Sequence, residues 1–168
     1  MRRFVRLWSI LALAAGMGVS GCSDHEFHPP SQEERTTRAD SLYTPALFDS
    51  IIWSSDSARV QTGNLIYADE CRRCHGPLGR GETEYARENE LTVPSLVEPD
   101  WVHAGSVDTL RRQIFVGHPG GMPNWGVGRL APRQIDAAAA YILEQLRPEV
   151  MGDTTRVPSL LDGADPRS

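Results

Sequence analysis

The sequence predicts an all-α domain, three main helices joined by long loops, and three observations carry that expectation. Between residues 59 and 75, Val60, Gly63, Tyr67, Cys71 and Cys74 recur at helical spacing on one face. Two later segments, 106–117 and 132–147, have helix-starting and helix-stopping residues at their ends. No stretch alternates with the period of two that marks a half-buried strand. Three helices make a poor core for the segment 58–148 unless something large fills it.

In chain order, residues 1–21 read as an export leader. Arg2, Arg3 and Arg6 form a basic start, and the apolar run from Leu7 to Ala15 is too short to span a bilayer. Val19-Ser20-Gly21-Cys22 resembles a bacterial lipobox, in which the cysteine is lipidated and becomes the new N-terminus. An ordinary signal peptide with an incidental cysteine is the alternative. The lipidated form would be exported to the periplasmic side and held at the inner or outer membrane surface by its acyl chains.

Removing the leader leaves 14 arginines against 22 acidic residues, a charge of −8 where the whole chain has −5. There is no lysine, so each basic side chain is a permanently charged guanidinium. An acidic chain is a poor partner for nucleic acid, which selects a basic face. The segment 58–148 is nearly balanced, with 10 arginines and 11 acids, so the acidity lies in the flanks.

Residues 22–57 are expected to form a tether with an apolar docking segment. The part from 23 to 41 is polar and contains Pro29-Pro30, whereas 42–53 (LYTPALFDSIIW) is too apolar for a solvated linker and should pack on the domain or on a partner. The first domain helix follows, over 59–75. Residues 76–105 are rich in glycine, proline and acids and read as loop, with Glu82, Glu84, Glu88 and Glu90 as a solvated or docking face. Ser106 and Asp108 open the second helix and Gly117 closes it. Pro132 opens the third, which should stop before Pro148, and 149–168 read as a flexible tail.

The chemistry is concentrated in Cys71-Arg72-Arg73-Cys74-His75. A structural zinc site wants four ligands, often as two pairs, and there is no second pair of cysteines. A redox dithiol of the thioredoxin type opens a helix after a strand, whereas here a helical pattern runs into the motif. The remaining reading is covalent haem. Cysteines at i and i+3 face one edge of the macrocycle, and His75 turns its ring toward the iron. The count of three cysteines then closes: one for lipid and two for haem.

With that motif and a methionine loop ahead of a last helix, segment 59–147 resembles a class I c-type cytochrome. The resemblance implies the small cytochrome c fold around one covalently bound haem c. Met122, in Gly120-Gly121-Met122-Pro123-Asn124-Trp125, is by that likeness the distal iron ligand opposite His75. A thioether is a soft ligand, and the neighbouring glycines and proline suit a stiff loop close to the haem face. His103, His118 and Met151 are the other possible sixth ligands, and a vacant position is a further alternative. Pro94, in Val93-Pro94-Ser95-Leu96, corresponds to the proline whose carbonyl orients the proximal histidine, with Pro77 the competing position. Gly63, Tyr67 and Tyr141 correspond to the crossing of the first and last helices, beside the small run Ala137 to Ala140. Trp101 and Trp125 either donate to a haem propionate or pack.

The likeness implies a membrane-anchored monohaem carrier of single electrons in a respiratory chain, an electron-transfer protein rather than an enzyme. Its partners would be redox proteins or a respiratory membrane complex. The alternative is a fixed haem subunit of a larger complex, of the alternative complex III or oxidase type. A haem sensor or enzyme would need an open iron site.

Overall fold

The computed structural model describes residues 28–152. The leader, Cys22 and the tail from 153 onward lie outside the described residues. The described chain is all-helical, as expected, and its nearest approach to a sheet is one antiparallel bridge between His118 and Met122.

The expected tether already contains a helix, α1 (Gln32–Leu42). A capping box starts it: the Ser31 hydroxyl accepts from the Glu34 N–H, and the Glu34 carboxylate accepts from the Ser31 N–H at 2.7 Å. Only Thr36 and Ala39 of α1 are buried, against α5 (Val107–Val116), and Asp40 pairs with Arg112 of that helix at 2.5 Å. So narrow an apolar stripe reads as linker in sequence, although the box itself is there to be seen.

The apolar stretch that follows packs on its own domain. A single 3₁₀ turn (Pro45–Phe48) buries Phe48, and Tyr43 meets the ring of Phe115 edge-on at 5.5 Å. Trp53 stacks under the Arg133 guanidinium and donates its indole N–H to Asp136 at 2.6 Å.

The first domain helix is longer than its sequence pattern suggests. α2 (Asp56–Ile66) is capped by the Ser55 hydroxyl and runs through a π turn (Tyr67–Cys71) into α3 (Arg72–His75), where Gly76 ends it at φ 76°. Within the loop beyond lies a short helix, α4 (Glu84–Glu88), capped by Thr83; its acidic side chains face solvent, as expected. The second helix, α5, begins at Ser106 and ends at Gly117, as its sequence signals indicate.

The last helix does not stop before Pro148. α6 (Pro132–Tyr141) passes through a second π turn (Ile142–Leu146) into α7 (Arg147–Met151). The Arg147 N–H reaches back five residues to Ile142, so the hydrogen-bond register restarts there. Pro148 then falls in a first turn, where a missing N–H costs nothing.

α2 crosses α6 in close contact at Gly63. A Cβ on Gly63 would sit 1.9 Å from the Ala137 carbonyl oxygen, so only glycine permits this approach. Ala137 to Ala140 are wholly buried around it, and Tyr67 and Tyr141 fill the adjoining gap with rings 5.3 Å apart. One end of this layer is fixed by charge. Asp136, buried in α6, accepts from Arg59 of α2 at 2.8 and 2.9 Å and from Arg111 of α5.

Candidate functional site

The long loops do not close over the helices; they wall a cavity of about 650 Å³, in the size range of cofactor pockets. Cys71, Cys74 and His75 enter it from the end of the first helix, and Met122 from the loop after α5. Leu96, Leu110, Ile114 and Ile142 make its lining apolar. Of the two prolines weighed for orienting His75, Pro94 lines the cavity and Pro77 does not.

His75 is held from several directions. Its helix ends at Gly76, where φ is 76°; the Gly76 N–H closes the last turn onto the Arg72 carbonyl at 2.8 Å, and the Tyr67 hydroxyl donates to the Gly76 carbonyl at 2.7 Å. Gly81 N–H then bonds the His75 carbonyl, and Thr83 donates to that of Cys74. Burial pushes the His75 pKa down, and the facing Pro94 carbonyl pulls it partly back. The ring is therefore neutral at pH 7, the form that ligates metals. Its Nδ1 is buried without a partner of hydrogen-bonding geometry.

The two thiols are not activated. Burial raises Cys71 to about 12, with Glu70 and Cys74 adding to the shift, and burial also raises Cys74. A reactive dithiol needs the opposite shift. Among the described residues no group of three or more His, Cys, Asp or Glu side chains is arranged to hold a metal ion.

Met122 sits in a loop tied at both edges. The His118 N–H donates to the Met122 carbonyl at 3.0 Å, and the Gly121 N–H returns to that of His118 at 3.1 Å. Gly117 at φ 78° admits the turn, since a Cβ there would meet the Met122 and Pro123 carbonyl oxygens at 2.5 Å. Gln113 of α5 donates to the Gly117 carbonyl at 3.1 Å, and its amide lies 4.0 Å from the Met122 sulfur.

The competing ligands are placed differently. His118 also lines the cavity, but it is exposed and its Nδ1 accepts from the Gly120 N–H at 2.9 Å, so the ring braces its own loop. His103 lines the cavity, edge-on to Trp101 at 5.3 Å, with a buried Nδ1 that lacks a partner. Met151 is 47% exposed at the end of α7, away from the cavity. Trp101 and Trp125 both line the cavity, the latter buried beneath Arg129.

Two supports carry no sequence signal: Gln113, and the buried Arg147. The Arg147 guanidinium donates to the Leu96 and Glu98 carbonyls and so pins the loop next to Pro94. An apolar cavity with two orphaned imidazole nitrogens, two neutral thiols and a thioether on its walls fits haem c.

Comparison with known proteins points the same way. The family model for cytochrome c oxidase, cbb3-type, subunit III matches residues 58–142. The chain belongs to this family. Among curated relatives it is 30% identical over 117 residues to the cbb3-type cytochrome c oxidase subunit CcoP of Rhodobacter capsulatus, covering 61% of this chain and 37% of that protein. It is 33% identical over 89 residues to the subunit CcoP of Azospirillum brasilense, covering 53% and 29% respectively. The subunit FixP of Azorhizobium caulinodans matches at 33% over 87 residues, covering 52% and 27%. The chain thus spans about a third of the length of the curated relatives it matches. Segment 58–142 is accordingly a cytochrome c domain, an electron-transfer module whose family implies covalent haem c. No helix among the described residues is long and apolar enough to cross a membrane.

Proposed function

We propose that this chain is a fixed haem subunit of a respiratory oxidase complex of the cbb3 type, carrying single electrons toward the oxidase. One cavity carries the reading: Cys71, Cys74, His75 and Met122 reach the same apolar space from two separate parts of the chain. In this proposal Cys71 and Cys74 form the thioethers to a single haem c, His75 is the proximal ligand and Met122 the distal one. The Pro94 carbonyl orients His75. Bound there, haem supplies an iron couple that accepts and returns one electron. The protein's part is to keep His75 neutral, hold the thioether ready and exclude water with its apolar wall.

The assignment to a complex, rather than to a free shuttle, is supported by the relatives, whose names are those of oxidase subunits. The docking of α1 also takes up much of the chain that a shuttle would use as tether. One observation favours the shuttle: Tyr43, Leu47, Phe48 and Ile51 of the apolar stretch 42–53 pack on their own domain, leaving Leu42 and Ile52 as its exposed apolar residues. The proposal further places Cys22 under lipid on the periplasmic side of a membrane.

Two measurements test this. In protein matured with haem-attachment machinery, the oxidised spectrum should show a sulfur-to-iron band, and Met122→Ala should abolish it and open the iron to carbon monoxide once reduced. A wild type that already binds carbon monoxide would defeat the electron-carrier reading. The complex is tested by solubilising native membranes: the chain should migrate with an oxidase in fixed ratio, and migration alone would restore the shuttle.

A further inference from the structure

From the N-terminal helix, well outside the family match at 58–142, one side chain reaches the methionine loop. Gln32, the first residue of α1, directs its amide nitrogen at two carbonyl oxygens, Met122 at 2.7 Å and His118 at 3.2 Å. Both partners are acceptors only, so the side-chain nitrogen, not the oxygen, must face them. Those same carbonyls belong to the two residues that bridge the neck of the loop. From α5, Gln113 donates to the Gly117 carbonyl, next to His118 in the chain. The loop is therefore held by two glutamine amides, one from α5 and one from a helix some 90 residues away in sequence.

α1 is itself fastened. Thr36 and Ala39 are buried against the domain, and the Asp40–Arg112 pair fixes the far end of the helix. A side chain on a loose tether would gain little from such contacts, because ordering it would cost as much as they return.

We infer that Gln32 is a positioning residue for the distal ligand, and that α1 is a strap that keeps the Met122 loop closed. This rests on the reading of Met122 as iron ligand. A closed neck fixes where the Met122 backbone stands and hence how far its sulfur reaches. With the strap released, the two carbonyls return to water, the neck widens, and the thioether yields its place to an external ligand more readily. Near-neutral hydrogen bonds of this kind alter an equilibrium by about 3- to 10-fold.

The test uses the full-length, haem-loaded protein and imidazole as competing ligand for the oxidised iron. Gln32→Met keeps length and shape without a donor; it should bind imidazole about 3- to 10-fold more tightly. The His118 amide should exchange its hydrogen faster by a similar factor. Gln32→Lys, which restores a donor on a slightly longer side chain, should return both readouts most of the way to wild type. Unchanged imidazole affinity in Gln32→Met, in a wild type that shows the sulfur-to-iron band, would overturn the role of Gln32. Equal loss in Gln32→Met and Gln32→Lys would overturn it too, by leaving packing as the cause. A wild type without the band would instead remove Met122 as ligand, and the strap's purpose with it.

Discussion

At the scale of single residues, the fold hangs on a few positions that tolerate no substitute. Gly63 is one, because the Ala137 carbonyl occupies the place of any Cβ. Asp136 is another. Its burial favours the neutral acid, yet hydrogen bonds from Arg59, Arg111 and Trp53 together outweigh that and hold its pKa below the usual carboxylate value. Asp136→Ala would leave two half-buried guanidinium groups short of a partner, a defect that costs about 3–5 kcal/mol. Arg59 keeps Glu144 and Arg111 keeps Asp108, so the loss belongs at the low end, about 3 kcal/mol by denaturant unfolding. Its pH dependence has a definite sign. With the folded pKa depressed, the stabilisation is complete above the unfolded value near pH 4 and is lost as the pH falls through the folded one. The gap between wild type and variant should therefore close in acid; a gap that widened below pH 4 would contradict this account. Of these residues, Gly63 could be picked from its helical register with Tyr67 and Cys71. Asp136 could not, because an acid among alanines looks like an exposed residue until its three donors, all distant in sequence, are seen around it.

Helices with strong end signals were legible, and those defined by tertiary contact were not. Ser106 and Gly117 bound α5 as sequence indicates, whereas both π turns escaped, since a five-residue hydrogen-bond step leaves no mark in composition. The turn at 67–71 lets the helix that crosses α6 also deliver Cys71 and Cys74 into the cavity. α1 is the instructive miss: a capping box without an apolar stripe. Ser31→Ala should therefore loosen α1, and with it the Gln32 contacts to the Met122 loop, by about 1 kcal/mol. Amide exchange would quicken through Gln32–Leu42 while the melting temperature of the domain stayed within a degree or two of wild type, because local opening needs no global unfolding. A fall in melting temperature comparable to that of a core substitution would show α1 to be part of the cooperative unit.

Over the whole molecule, the motif groups Cys71, Cys74 and His75 within five residues of sequence, and Met122, picked by family likeness alone, lines the same cavity. What remained hidden was the wrapping of residues 28–54 around the domain, since nothing local distinguishes an apolar segment that covers its own chain from one awaiting a partner. Phe48 and its neighbours now belong to the core. A chain beginning at Ser55 should lose at least the about 3–5 kcal/mol of a large core truncation, and at about 4 °C per kcal/mol melt at least about 12 °C lower by circular dichroism. Melting within a few degrees of the full chain would mean that this wrap is ornamental.

The docking of α1 also settles where the domain would be moored. On the proposal that Cys22 carries lipid, nine residues, and so ten chain steps, separate it from Gln32. Even drawn out fully, they span at most about 36 Å. Because Gln32 rests on the Met122 loop, the chain leading from that anchor would join the domain beside this loop. Lipid would confine such a domain to the membrane plane without fixing its place in it. It would pivot about a tether joined on the methionine side, and that attachment would decide which face it turns toward a neighbour.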